Sequence, residues 1–153
     1  MHKRLWMAGL LLLLPLLAIS CGGKKKKTSN TVPAAPSALT VAAATSATIS
    51  LGWTDNSTNE AGFEINKSLD GITYALLTTT AANTVAYTDT GLTADTTYWY
   101  KVRAVNNVGN SNFTDTVSPK TQIAPPTALI AIASSPSMMN LSWADNTTSE
   151  AGF

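Results

Sequence analysis

The chain has 153 residues with one cysteine and one histidine, and its 10 basic and 9 acidic side chains give a net charge of +1. The histidine stands at position 2, inside a leader that we expect to be removed, so the mature chain lacks the histidine of common zinc sites. It also lacks the histidine base that serine and cysteine nucleophiles generally need, and one cysteine excludes a disulfide framework. The composition therefore predicts a non-enzyme with no metal site and no cofactor.

Residues 1–20 are predicted to be a secretory leader. Two basic residues precede a 15-residue apolar run at 5–19, which is shorter than the roughly 20 residues of a membrane-spanning helix. The segment Leu-Ala-Ile-Ser-Cys at 17–21 resembles the lipobox of bacterial lipoproteins, and this resemblance implies lipidation of Cys21 and a membrane anchor in the cell envelope. Gly22, rather than aspartate, follows Cys21, which is compatible with the outer membrane. The alternative is an ordinary signal peptide beside an incidental cysteine.

Residues 21–34 are predicted to be a lipid-anchored, lysine-rich tether, because they combine glycine, charge, small polar residues and proline and have little to bury. Lys24–Lys27 either keep this segment solvated or attract it to anionic lipid and lipopolysaccharide phosphates. From Thr28 onward four basic residues stand against nine acidic ones, a net charge of 4 − 9 = −5. An acidic domain argues against nucleic acid as a partner.

Residues 35–121 show apolar residues at alternate positions, with turn signals every eight to twelve residues, and this pattern predicts an all-β sandwich. Seven strands are expected. They are marked in chain order by Leu39 and Val41, Ile49 to Trp53, Phe63 and Ile65, Tyr74 and Leu76, Val85 and Tyr87, Tyr98 to Ala104, and Phe113 to Val117.

Four features of this region together resemble a bacterial fibronectin type III domain: Pro36, Trp53, the segment LTADTTY at 92–98 and the run YWYKVRAVNNVGNS at 98–111. The resemblance implies an immunoglobulin-like, seven-stranded β-sandwich. It also implies that Trp53 fills the core and that Leu92 and Tyr98 form the tyrosine corner of that family. The alternate residues after Tyr98 would then line the core.

The start of this domain is repeated ninety residues later. Pro36, Ala38, Leu39, Leu51 and Trp53 match Pro126, Ala128, Leu129, Leu141 and Trp143 without a gap. We therefore expect residues 122–153 to be a linker and an incomplete second fibronectin type III domain. About thirty residues cannot bury a core, so a fragment of a longer repeat protein is expected.

The stretch 53–63 keeps eight of its eleven residues in the second copy, whereas 35–52 keeps five of eighteen. One hypothesis is that Asp55, Asn56 and Glu60 offer oxygen ligands to calcium, although their spacing is not that of an EF-hand. The structural alternative is that Asp55 and Asn56 close an Asx-type turn while Gly62 adopts a geometry that other residues resist. A protein-contact loop and recent duplication are further explanations.

Trp99 is predicted to lie on the outer face of its strand, together with Lys101 and Arg103. This candidate contact surface either shields itself by cation-π contacts and aliphatic stems or binds a partner. The acidic residues are too scattered to suggest the carboxylate pair of a glycosidase.

The sequence as a whole favours a lipid-anchored cell-envelope protein. Its modules would be non-catalytic spacers and surfaces for a protein or glycan ligand. The alternative is the N-terminal accessory region of a longer secreted enzyme that degrades polysaccharide or peptide.

Overall fold

The computed structural model describes residues 30–147 and residue 152. The predicted leader, Cys21, most of the tether, and Glu150 and Phe153 of the second copy lie outside the described residues. Within the described part of the chain, no helix is long and apolar enough to cross a membrane.

Six antiparallel strands form two three-stranded sheets. One sheet has the order β1-β2-β5 and contains β1 (Ser37–Ala44), β2 (Thr48–Thr54) and β5 (Ala86–Thr90). The other has the order β4-β3-β6 and contains β3 (Gly62–Ser68), β4 (Ala75–Ala81) and β6 (Trp99–Val105). The two sheets face each other across the core, and the predicted all-β sandwich is confirmed.

The predicted seventh strand is an irregular segment that follows β6 through bridges such as Tyr100 to Val117. The hydrogen-bond ladder between this segment and β6 is interrupted, because two backbone N–H groups of β6 donate to side-chain hydroxyls. Val102 N donates to Thr114 Oγ1 at 3.1 Å, and Ala104 N donates to Ser111 Oγ at 2.9 Å. The segment completes the sheet without forming a continuous strand.

The core consists of alternate residues from the two sheets, as the sequence pattern predicts. From β2 and β6, the residues that point inward are Ile49, Leu51, Trp53, Tyr100, Val102 and Ala104. Phe63 packs against Trp53 with ring centroids 5.7 Å apart. Burying each large apolar side chain contributes about 1.5–3 kcal/mol, so these strands hold the sandwich together.

Three strand positions differ from the prediction. Val41 is 38% exposed although its partner Leu51 is buried, and it lies on β1 at the edge of the sheet. On β4 the residue that packs on the core is Leu77, while Leu76 is 55% exposed, because the register shifts between Ile65 and Asn66 of the neighbouring strand.

The corner before β6 is held by Tyr98, as the family resemblance implies. Its hydroxyl accepts a hydrogen bond from Thr93 N at 2.9 Å, and Leu92 beside it is buried. Thr121 is also buried and donates through its hydroxyl to Thr93 O at 2.7 Å. This corner therefore ties the last segment of the domain to the turn before β6.

The described part of the second copy is a hairpin of β7 (Thr127–Ser135) and β8 (Met138–Ala144). Its first pairings, such as Ala131 with Leu141, repeat those of β1 and β2 at the offset of ninety. The equivalent apolar residues are nevertheless open to solvent: Leu141 is 57% exposed whereas Leu51 is 1% exposed. The hairpin repeats the first pairings of β1 with β2 and has no covering sheet among the described residues.

Candidate functional site

The candidate contact surface lies on the outer face of the β4-β3-β6 sheet. Alternate residues of β6 are buried in the core. The residues between them, Trp99, Lys101 and Arg103, point outward and are half-buried. Antiparallel pairing places Arg103 opposite Glu64 and Lys101 opposite Asn66 on β3. The sequence prediction that these three side chains share one face is therefore matched by their placement.

Arg103 is held by an acidic and an aromatic partner. Its Nη2 lies 2.6 Å and its Nε 2.7 Å from Glu64 Oε2. The guanidinium carbon also lies 4.6 Å from the centroid of the Phe113 ring. Charge-assisted contacts of this kind are stronger than neutral hydrogen bonds, and the stacking further restricts the side chain. Arg103 is thus neutralised and fixed in place.

Lys101 lies against two aromatic rings that the sequence reasoning did not assign to this surface. Its Nζ is 3.9 Å from the centroid of Tyr74 and 4.4 Å from that of Phe113. Tyr74 comes from the loop before β4 and Phe113 from the irregular seventh segment, so three separate parts of the chain build this cation-π cluster. Their separation in sequence explains why spacing alone did not indicate them.

Trp99 supports the loop between β3 and β4 instead of stacking with the neighbouring cations. Gly71 has a φ of +73°, and a Cβ placed there would lie 3.1 Å from the indole Nε1. Glycine is required at this position on both counts, since other residues resist positive φ and the indole leaves little space. The cation-π contacts of Lys101 and Arg103 are made with Tyr74 and Phe113.

The same loop is made rigid by Asp70. Its Oδ1 accepts hydrogen bonds from Ser68 Oγ at 2.7 Å, Ile72 N at 2.8 Å and Thr73 N at 2.7 Å. These bonds, the one from Ser68 first, hold the pKa of the Asp70 carboxyl well below its usual range. The fixed turn displays Ile72 with 85% of its surface exposed.

A groove of about 420 Å³ lies beside this loop. It is lined by Lys67, Ser68, Leu69, Asp70, Thr73 and Ala75. Trp99 lies on the same face of β6 as Lys101 and also contacts the loop at Gly71, so apolar and charged groups are neighbours on this side of the sheet.

The three residues singled out in the 53–63 loop have separate partners. Asp55 Oδ1 accepts from Ser57 N at 2.8 Å, which is the predicted Asx turn. Glu60 is buried, and its Oε1 accepts from Asn83 N at 3.1 Å in the turn after β4. Asn56 takes no part in the Asx turn and instead donates to the segment that precedes β1. Among the described residues, no group of three or more His, Cys, Asp or Glu side chains could hold a metal ion.

Glycine is required at position 62, at the end of this loop, because the backbone of the neighbouring strand leaves no space for a side chain. A Cβ at this position would overlap the backbone carbonyl of Thr80 on β4. The expected constraint on Gly62 therefore comes from close approach of the neighbouring strand.

A buried polar network crosses the core, and sequence reasoning missed it. Asp89 on β5 is 3% exposed, and its Oδ2 accepts from Tyr100 OH at 2.8 Å and from Lys67 Nζ at 2.9 Å. Burial, followed by this hydrogen bond, raises the pKa of the Tyr100 hydroxyl well above its usual range. The network joins the two sheets, since Asp89 belongs to one and Lys67 and Tyr100 to the other.

Comparison with known proteins gives consistent matches. The profile of the Fibronectin type III domain family matches residues 34–120. Exoglucanase B of Cellulomonas fimi is 39% identical over 100 residues, which are 63% of this chain and 9% of that protein.

Among solved structures, a beta-1,2-glucanase from Parabacteroides distasonis has 29% identity and a TM-score of 0.54, and the match covers 62% of this chain and 14% of that one. Domains A168–A170 of titin show the same fold at 21% identity and a TM-score of 0.53, with 60% of this chain and 32% of that chain covered. The chain thus spans a small part of the length of each of these proteins.

Proposed function

The chain belongs to the fibronectin type III family, and from that premise we propose that it is a non-catalytic module of a lipid-anchored cell-envelope protein. Its sandwich would hold the outer face of the β4-β3-β6 sheet a short distance from the membrane and present it to a protein or glycan ligand. The proposal rests on one observation about this face. Three aromatic residues, Trp99, Tyr74 and Phe113, lie there outside the closed core.

The chemistry of this face suits a partner with both apolar and anionic groups. Aromatic side chains provide large flat surfaces with polar edges, and the Ile72 tip adds exposed aliphatic area. Arg103 is paired with Glu64, whereas Lys101 contacts aromatic rings and forms no ion pair among the described residues. A ligand carboxylate or sulfate could approach Lys101 without displacing an ion pair.

The binding proposal is tested with two substitutions that do not touch the core, Lys101→Ala and Ile72→Ser. Isolated envelope glycan and an envelope protein extract are the probes, and titration of immobilised protein measures retention. We expect each substitution to weaken binding about tenfold, as loss of a central contact does. Lys120→Ala, whose partner Asp95 lies elsewhere, is the matched control. Equal retention of all variants would reject this face as the ligand surface.

The proposed anchor rests on the lipobox-like segment that ends in Cys21. Expression of the full chain in a Gram-negative host followed by membrane fractionation tests it. We expect the wild-type protein in the outer membrane fraction with an acylated Cys21 in its mass spectrum, and the Cys21→Ala variant in the soluble fraction. An unmodified Cys21 in the mature protein would contradict the anchor, and recovery in the inner membrane fraction would contradict the outer-membrane location.

A second candidate function is that of an accessory region in a longer enzyme acting on polysaccharide. It is favoured by the two matched proteins whose names denote glucanases, each of which is much longer than the matched segment. The module itself would still be non-catalytic. The test is the reading frame after Phe153 in the source genome: a hydrolase domain there would favour this candidate, whereas further sandwich repeats would favour the spacer.

A further inference from the structure

The segment that leads into β1 is bound to the first module by three asparagine side chains. Asn56 Nδ2 donates to Ala35 O at 2.9 Å. Asn59 Nδ2 and Asn106 Nδ2 both donate to Thr31 O, at 2.9 and 3.0 Å. These donors contact backbone carbonyls, so they hold an extended peptide without requiring particular side chains in it.

Packing completes this attachment. Pro33 and Pro36 are buried, although both precede the first strand. Val32 lies so close to Gly109 that a Cβ on the glycine would be 3.0 Å from Val32 Cγ1. Residues 31–36 therefore pack against the folded module ahead of the first strand.

The second copy repeats the main contact. Asn146, which is equivalent to Asn56 at the offset of ninety, donates through Nδ2 to Pro125 O at 2.6 Å and to Thr127 Oγ1 at 3.1 Å. Asn56 makes the corresponding second bond to Ser37 Oγ at 3.0 Å. The residues that accept these bonds differ between the copies, but each retains a carbonyl or a hydroxyl.

The preceding aspartate is also used in the same way in both copies. Asp145 Oδ1 accepts from Thr147 N at 3.0 Å, as Asp55 Oδ1 does from Ser57 N at 2.8 Å. This turn places the next side chain, the asparagine, against the incoming segment. The shared turn and the shared donor account for the retention of Asp55 and Asn56 as Asp145 and Asn146 in the second copy.

We propose that the Asp-Asn pair of this loop is a docking site for the extended segment that leads into each module. In the linker, Gln122 N donates to Thr45 O at 3.0 Å and Gln122 O accepts from Asp95 N at 3.1 Å, so the first module holds its own exit. Asn146 holds Pro125 on the other side. Ile123 and Ala124 are then the residues between the two attachment points, and the joint between the copies is short and bound at both ends.

Limited proteolysis of the full chain tests this docking, with a protease that cleaves after small apolar residues and mass spectrometry to map the cuts. We expect Asn56→Ala to raise the cleavage rate within 32–35 about tenfold, because segments held by few bonds open locally. Asn146→Ala should do the same at 123–124 and leave 32–35 unchanged. Asn112→Ala, at an exposed asparagine outside the docking site, is the matched control.

Asn56→Asp separates the donor from the shape of the side chain, since aspartate keeps the size and loses the Nδ2 protons. Cleavage of 32–35 should rise as it does for alanine, with cleavage inside β5 unchanged as the sign of an intact core. Wild-type rates in both Asn56 variants would overturn the proposal. Protection of 32–35 that depends on added calcium and is lost in Asp55→Asn would also overturn it, in favour of a metal-binding loop.

Discussion

Removal of the Tyr100 hydroxyl should measure what the buried network contributes to the fold. Tyr100 is fully buried, and its hydroxyl lies 2.8 Å from Asp89 Oδ2, which is itself almost inaccessible to water. Tyr100→Phe keeps the ring and removes one hydrogen bond to a charged acceptor, a contact that contributes about 1.5–3 kcal/mol. Lys67 keeps its ion pair with Asp89, so the carboxylate is still partnered and the expected loss is about 2 kcal/mol.

Urea unfolding followed by tryptophan fluorescence is the direct assay for this variant. For a domain of this size, a loss of about 2 kcal/mol corresponds to a decrease in Tm of roughly 10 °C, with the urea m-value unchanged. Tyr87→Phe is the control, because the described structure shows no hydrogen bond from the Tyr87 hydroxyl and this ring also packs beside the core. A loss below about 0.5 kcal/mol, equal to the control, would refute the contribution assigned to the network.

The same variant has a defined pH dependence. The pKa of Tyr100 is raised in the folded state above its ordinary value of 10.0, so the folded protein keeps the proton while the unfolded chain loses it. The contribution of Tyr100 to stability is therefore complete below about pH 10 and decreases above it, by about 1.4 kcal/mol per pH unit. Tyr100→Phe should show a shallower alkaline decrease than the wild type, and parallel curves would contradict this assignment.

Four further substitutions test other parts of the structure. Leu51→Ala should cost about 2–5 kcal/mol of unfolding free energy, whereas the equivalent change at the exposed Leu141 should cost less than about 0.5 kcal/mol; equal losses in urea titrations would contradict the assigned burial. Gly62→Ala should destabilise by at least about 1–3 kcal/mol, because its Cβ would overlap the Thr80 carbonyl, and a wild-type Tm would disprove that crowding. Asp70 has a lowered pKa, so its stabilising effect is present above pH 4 and lost on acidification; Asp70→Asn should flatten the acid limb of the Tm profile, and an unchanged limb would argue against it.

The sequence predicts the core well where strands keep strict alternation. On β6 the order of inward and outward residues follows the pattern from Trp99 to Val105 without an exception. On β4 the pattern is less informative, because Leu76 and Leu77 are adjacent and a register shift in the pairing with β3 decides which of them packs on the core. Sequence periodicity cannot indicate such a shift, since the shift arises from the pairing between strands.

The buried network could have been inferred from the same periodicity. Lys67 shares a face with Phe63 and Ile65, and Asp89 shares a face with Tyr87. Opposite charges at inward positions of two facing strands predict an ion pair in the core, because an unpaired buried charge is costly.

The role of Asn56 could not be predicted from side-chain patterns. Repetition within the chain indicates that the residue is constrained, but its acceptor is a backbone carbonyl, and every residue of an extended segment offers one. The cation-π cluster is similar, since Tyr74, Lys101 and Phe113 are brought together by the pairing of distant segments.

The irregular segment beside β6 has a consequence for the solubility of repeated modules. A chain of similar β-sandwiches holds many sheet edges of the same kind at high local concentration. Regular edge strands could pair between such modules and cause aggregation. Here the border segment pairs with β6 only through isolated bridges, and it contains Pro119, which has no amide proton to offer. A neighbouring module therefore meets a border with a broken hydrogen-bond pattern, and this side of the domain is protected against cross-module β-pairing during folding.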